Sequence, residues 1–239
     1  MASALGWGAL SASSLVIGAL LGLARRWPDR QIGLVLAFGA GALISAVSFE
    51  LVEDGGRIGG AGSVGIGLAV GALVFYFADR AVESRFSGTG AQGQDAAGPA
   101  LALGAFLDGI PEQAVLGISI AEGGGVSVGL LVAIFVSNLP ESIGSASEMR
   151  AAGSAPHAIR RLWIAVAVAC TLASVGGYAI ADVSGGHLEA RINGFAAGAL
   201  LVMLVDSMIP EATSKLGGRA GLVTALGFAV AAGLSSLSS

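Results

Sequence analysis

Three short segments of the sequence place a glutamate directly after a proline within long apolar runs. They read FLDGIPEQA around Pro111, FVSNLPESI around Pro140 and LVDSMIPEA around Pro210. A proline inside a helix leaves the carbonyl four residues earlier without its hydrogen bond. Carboxylate and carbonyl oxygens are ligands for hard divalent cations. These residue types therefore indicate a cation site.

The polar residues around the first two prolines have helical spacing. Asp108 and Glu112 are four residues apart, and Asn138 and Glu141 are three apart, so each pair shares one helix face. An acid at the centre of a membrane helix costs about 2.5–3.5 kcal/mol, so Asp108, Glu112 and Glu141 together cost on the order of 10 kcal/mol. No lysine or arginine lies deep in a run to offset this cost. Either a bound cation or protonation with hydrogen bonding between helices must do so.

The composition predicts an all-α polytopic membrane protein. Of 239 residues, 54% are hydrophobic and 12% are charged, whereas soluble domains carry about 25% charged residues. This excludes an ordinary globular protein, a disordered chain and a nucleic-acid binder. One cysteine, Cys170, excludes a disulfide framework and a thiolate metal cluster.

The apolar runs predict eight transmembrane helices in a single domain, residues 1–239. Ten of the twelve basic residues fall on one side of these spans, which the positive-inside rule makes cytoplasmic. Both termini then face outward from a multi-pass protein of the cell (inner) membrane. Residues 81–97 are predicted to form a flexible cytoplasmic linker. The predicted spans are about 2–24, 31–52, 60–78, 98–121, 125–147, 162–182, 192–210 and 220–236.

The spans contain indications of inverted repeats. Residues 37–44 read AFGAGALI and residues 194–201 read GFAAGALL, in spans predicted to run in opposite directions. Spans four and five also run in opposite directions, and each carries a proline–glutamate step. Inverted pairs around broken, polar helices are typical of secondary transporters with a binding site at the membrane midplane.

At these residues the chain resembles the ZIP (Zrt/Irt-like) family of divalent metal transporters. The resemblance covers nearly the whole chain and is most specific at the two proline–glutamate steps. It implies a ZIP-like bundle of eight spans with external termini, and metal bound by Glu112 and Glu141. It also implies elevator-like alternating access, with spans one, four, five and six sliding against the others.

The chain departs from the family pattern at several ligand positions. Asp108 and Ser137 replace histidines, Asn138 is retained, and Ser174 aligns where the family has a glutamate in span six. The resemblance therefore implies one metal, held by Asp108, Glu112, Asn138 and Glu141. Ser137 and Ser174 are expected along the path.

The loss of histidine makes the expected site harder and less selective. Imidazole suits zinc, whereas carboxylate and carbonyl oxygens suit manganese and similar ions. We expect the transported ion to be zinc or another divalent metal such as manganese, iron, cobalt or cadmium, with no resident cofactor. The expected partners are the ion and the lipid bilayer, without nucleic acid, and a homodimer is compatible with this interpretation.

Further acids lie at the predicted ends of the path. Glu50 lies at the outer end of span two, and Asp206, Ser207 and Glu211 lie at the inner end of span seven. Acids at a channel mouth attract cations. The alternative interpretation is that these are ordinary interfacial residues.

Two other functions remain open from the sequence. Without the histidines, the chain could be a non-transporting metal sensor or structural membrane protein with a ZIP fold. An intramembrane protease would need a pair of aspartates such as Asp108 and Asp206, but the sequence lacks a Gly-x-Gly-Asp step. The sequence favours a transporter and not an enzyme.

Overall fold

The structure, a computed structural model, describes residues 1–87, 97–121, 126–182 and 184–238. Within these ranges every regular element is a helix. The α-helices are α1 (Ala2–Ala24), α2 (Asp29–Ala46), α3 (Asp54–Gly59), α4 (Ala61–Ser87), α5 (Ala97–Ala121), α6 (Val128–Ala151), α7 (Pro156–Asp182), α8 (His187–Met203), α9 (Ile209–Leu216) and α10 (Ala220–Ser238). Two π-helical segments, π1 (Val47–Glu53) and π2 (Leu204–Met208), continue α2 and α8, and a 3-10 turn (Gly217–Arg219) precedes α10.

Six segments of the described residues are long and apolar enough to cross a membrane. This supports a polytopic helical membrane protein, but it does not reproduce the predicted count of eight spans. The predicted spans 192–210 and 220–236 fall within one 50-residue segment, and the predicted span 98–121 is α5, some of whose side chains lie outside the described residues. The six segments are Ala2–Ala24, Asp29–Gly59, Ala61–Ala81, Val128–Ala151, Pro156–Asp182 and His187–Ser236.

The predicted linker is helical where the structure describes it. α4 continues to Ser87, so residues 81–87 belong to a helix, and so does Ala97 at the start of α5. The physical reason is that residues 81–87 contain no glycine or proline and Gly88 is the first strong helix breaker. Residues 88–96 lie outside the described residues.

Helices α4 and α8 pack with their backbones in contact. A Cβ at Gly71 would collide with the carbonyl oxygen of Phe195, and one at Gly198 would collide with that of Leu68. Small residues allow such close approach in lipid, where packing replaces the hydrophobic effect as the driving force. The glycines of these runs therefore have a direct structural role.

Helices α2 and α10 repeat the same packing. A Cβ at Gly41 would collide with the carbonyl oxygen of Thr224, and one at Gly227 would collide with that of Phe38. The α2–α10 contact thus matches the α4–α8 contact in both its glycines and its carbonyl partners.

The matching contacts follow the alignment of residues 37–44 with residues 194–201. The same sequence separation relates Phe38 to Phe195, Gly41 to Gly198, and the first residue of π1 to the first residue of π2. The local packing and the helix irregularities therefore agree with the predicted repeat.

The helices form two groups, each with close internal contacts. Unit A comprises α1, α5, α6 and α7, where a Cβ at Gly18 would collide with Ser142 and one at Gly117 with the Ser174 carbonyl. Unit B comprises α2, α4, α8 and α10 together with the short segments that adjoin them. The units meet mainly where α2 passes α6. There, a Cβ at Gly39 would lie 3.0 Å from the Ser137 Cα.

Candidate metal site

The two proline–glutamate steps predicted for spans four and five lie within α5 and α6. Pro111 is inside α5 and Pro140 is inside α6, and neither proline ends its helix. Each helix gives up one backbone hydrogen bond at its proline. In a membrane interior, a carbonyl freed in this way is tolerated only beside protein or a water-lined cavity. Each helix therefore carries a freed backbone carbonyl close to its glutamate along the helix axis.

Glu112 and Ser137 bring the two steps together. The Ser137 hydroxyl lies 3.0 Å from Oε1 and 3.2 Å from Oε2 of Glu112, and it also lies 3.0 Å from the Ile134 carbonyl oxygen. Glu112 is 2% exposed and Ser137 is fully buried. One hydroxyl proton can serve only one of these acceptors at a time. Ser137 can therefore release Glu112 and still donate to its own helix.

Asn138, which follows Ser137 on α6, has a buried side-chain amide. Its side chain is 1% exposed, and neither its Oδ1 nor its Nδ2 has a hydrogen-bond partner among the described residues. A buried polar group without a partner costs about 1–3 kcal/mol. A ligand or water that reached Asn138 would remove this cost. The amide oxygen is a suitable donor for a hard cation.

Cys170 of α7 lies against Gly109 of α5. Its thiol is fully buried. A Cβ at Gly109 would lie 2.8 Å from the Cys170 sulfur, so the absence of a side chain at residue 109 lets α7 approach α5. Glu141 is half-buried. Cys170 therefore packs against the turn of α5 that precedes Glu112.

The described residues do not form a complete metal-ligand cluster. No three His, Cys, Asp or Glu side chains among them are grouped closely enough to hold a metal ion. The Asp108 side chain lies outside the described residues. The structure therefore places Glu112 in contact with Ser137, and the metal-ligand set of Asp108, Glu112, Asn138 and Glu141 stays a prediction.

Ser174 faces another helix of unit A. Its hydroxyl donates to the Ala4 carbonyl of α1 at 3.3 Å, and a Cβ at Gly8 would lie 2.8 Å from the Ser174 Cβ. Its side chain therefore joins α7 to α1. The described contacts give Ser174 no role beside Glu112.

The residues predicted at the inner end of span seven occupy different surroundings. Asp206 and Ser207 lie on π2, where Asp206 is exposed and Ser207 is half-buried. Glu211 lies on α9, and its Oε1 is 3.5 Å from the Lys215 ammonium. Lys215 also approaches Asp29 at 3.8 Å. The structure thus gives Glu211 a basic neighbour at this end of the molecule.

Glu50 makes a contact that the sequence did not predict. It lies on π1, and its Oε1 accepts hydrogen bonds from Ser127 at 2.6 Å and Ser235 at 2.9 Å. Sequence reasoning missed both serines because they lie far from Glu50 in the chain. It used Cys170 only to exclude a disulfide framework and a thiolate metal cluster, although Cys170 precedes Ser174 by one helical turn and that spacing could have drawn attention to it.

The chain is similar in sequence to a plant protein. It is 30% identical over 185 residues to an Arabidopsis thaliana protein named "Putative zinc transporter", and the match covers 75% of this chain. The chain spans about 30% of that relative's length. No family model matches the chain.

Proposed function

We propose that this chain is a ZIP-like transporter that moves divalent metal ions across a membrane toward the cytoplasm. The observation that carries the proposal is the buried Glu112–Ser137 contact between α5 and α6, followed along α6 by the Asn138 amide, which is buried and unpaired within the described residues. Buried acids within membrane helices mark ion pathways. The similarity to a named zinc transporter supports the same function.

The charge distribution favours a cation as the cargo. The sequence of α5 contains no lysine or arginine, and that of α6 has only Arg150, at its last turn. A divalent ion would neutralise Glu112 and Glu141 together, with Asn138 and Asp108 as further oxygen ligands. A site of this kind accepts zinc and also harder ions such as manganese or iron.

We propose that the chain crosses the membrane eight times, two more than the six described segments that are long and apolar enough to span it. A straight helix of 50 residues would be about 75 Å long, more than twice a hydrocarbon core of about 30 Å. The segment His187–Ser236 changes helix type at Gly217, whose φ of +68° is left-handed, and this residue is the natural point for the chain to turn. α5 supplies the other crossing. Both termini are then external, and the basic loops face the cytoplasm of a cell (inner) membrane.

The two units suggest how the site gains access to each side. The glycine contacts with helix backbones are closer within each unit than at the boundary along α2 and α6, where a Cβ at Gly39 would lie 3.0 Å from the Ser137 Cα. Such tight internal contacts favour rigid-body movement of one unit against the other. Ser137 lies at this boundary, between Gly39 of unit B and Glu112 of unit A. Sliding would carry the glutamates with unit A.

Transport into proteoliposomes tests the proposal. Purified wild-type protein is expected to take up at least one of Zn²⁺, Mn²⁺, Fe²⁺, Co²⁺ or Cd²⁺ faster than protein-free vesicles. Calorimetry on the same preparation measures binding. Binding without flux for every ion would instead support the metal sensor. If the protein showed neither binding nor flux for any ion, both metal functions would be contradicted and a structural membrane protein would remain.

Acidification is expected to reduce uptake. Metal ligands must be deprotonated, so protons compete with the metal for Glu112 and Glu141. Initial rates should be measured at several pH values, with the same pH on both sides and the membrane potential clamped at zero. An uptake rate that rises steadily on acidification would contradict a carboxylate site.

A further inference from the structure

Glu50 joins three helical segments that are far apart in the sequence. Its Oε1 accepts hydrogen bonds from the hydroxyls of Ser127, which precedes α6, and Ser235 of α10. Its Oε2 is buried and has no hydrogen-bond partner among the described residues. Hydrogen bonds to a carboxylate are about twice as strong as those between neutral groups. One side chain of π1 therefore holds both serines.

Ser127 connects this contact to α6. It is the N-cap of α6, and its hydroxyl oxygen accepts the backbone N–H of Leu130 at 3.1 Å while its proton points to Glu50. An N-cap side chain of this kind stabilises a helix by about 1 kcal/mol. Glu50 thus fixes the start of the helix that carries Ser137 and Glu141.

The contact crosses the boundary between the two units. π1 and α10 belong to unit B, whereas α6 belongs to unit A. Ser235 lies directly against α6, because a Cβ at Gly129 would lie 2.6 Å from its hydroxyl oxygen. Movement of unit A along unit B must therefore break the bond between Glu50 and Ser127.

In the described part of the chain, the charged residues near Glu50 in the sequence form ion pairs with one another and not with Glu50. On the same helical stretch, Arg57 contacts Glu53 at 2.5 Å and Asp54 at 3.4 Å. No ion pair of Glu50 occurs among the described residues, and the groups that face it from α6 and α10 are the two hydroxyls. The contact therefore depends on the carboxylate as an acceptor.

We propose that Glu50, Ser127 and Ser235 form a latch that closes the end of the unit boundary at which α6 begins. The sequence predicts this end to be external. The latch holds the units together while the site is closed to that side, and it opens when unit A moves. This inference rests on the proposed transport function for its role, but its structural part can be tested without metal.

The variant Glu50→Ala tests the latch itself. In a background with Val126→Cys, a half-buried position next to Ser127, this substitution is expected to raise the alkylation rate by a water-soluble maleimide about threefold or more, which corresponds to roughly 0.7 kcal/mol. Glu50→Gln keeps an acceptor oxygen and should change the rate much less. Ser48→Ala is the matched control, because Ser48 is on π1 and, among the described residues, its hydroxyl donates to the Ile44 carbonyl of the preceding turn.

A cross-link tests whether the latch opens during transport. In the variant Ser127→Cys/Ser235→Cys, oxidation is expected to block uptake about tenfold or more, and a reductant should restore it. Ser63→Cys/His187→Cys is the control, since these side chains are 3.2 Å apart between α4 and α8 of one unit. Oxidation of the control should leave uptake unchanged, with both cross-links verified by mass spectrometry.

The outcomes separate the two proposals. Full uptake through a protein with the 127–235 cross-link formed would overturn the latch and leave the transport function intact. An alkylation rate that Glu50→Ala leaves unchanged would also overturn the latch. A wild-type protein without uptake would overturn the transport function. In that case, faster alkylation in the Glu50→Ala variant would still show that the Glu50 contact restricts access from water to the start of α6.

Discussion

Substitution of either glutamate of the candidate site by alanine is expected to reduce metal uptake about tenfold or more. Loss of one ligand interaction of about 1.4 kcal/mol already lowers affinity tenfold. Glu112 is almost fully buried against Ser137, and Glu141 is half-buried one helical turn after Ser137 on α6. Initial uptake rates in proteoliposomes, with calorimetry for affinity, measure the effect. Both variants should lower uptake and binding together.

Two controls separate loss of a ligand from loss of structure. Glu148→Ala removes an exposed acid from the last turns of the same helix as Glu141, and it should leave uptake within about twofold. Glu112→Gln keeps an oxygen that can accept the Ser137 hydrogen bond but removes the charge. If Glu112→Gln transports as well as the wild type, Glu112 acts only in packing and the proposed site is wrong.

The sequence identified the two proline–glutamate steps, but it could not predict which side chains of the two steps contact each other. Helical spacing shows that Asn138 and Glu141 share a face, because this depends on one helix alone. The contact between Ser137 and Glu112 depends on the register between two helices, and no spacing within either helix determines that register. The same limit applies to Ser174, whose alignment pointed to the site while its hydroxyl contacts α1.

The repeat and the span count illustrate a second limit. Residues 37–44 and 194–201 were matched by their small residues, and the glycine contacts and π segments agree with that match. Hydropathy alone gave no indication of π1 or π2, because a π-helix differs from an α-helix in hydrogen-bond register and not in composition. Glu50 lies on such a segment, so its bond to Ser127 could not have been predicted.

Substitution of Gly71 by alanine is expected to destabilise the protein by about 1–3 kcal/mol, the usual range for overpacking. The added methyl group would meet the carbonyl oxygen of Phe195, and a backbone atom cannot turn away as a flexible side chain can. α4 and α8 would have to move apart and lose their close packing. Thermal unfolding of all variants in the same detergent, monitored as the loss of monodisperse protein, measures the effect as a lower midpoint temperature.

The same helix supplies the control for this substitution. Nothing lies within 4 Å of a Cβ at Gly65, which is exposed, so Gly65→Ala should be neutral or stabilising by up to about 1 kcal/mol. Gly227→Ala should reproduce the loss seen for Gly71→Ala, because a Cβ there would meet the Phe38 carbonyl in the matching contact. Equal stability of all three variants would mean that the helices separate easily at these glycines. In that case the units would lack the internal rigidity that movement of one unit against the other requires.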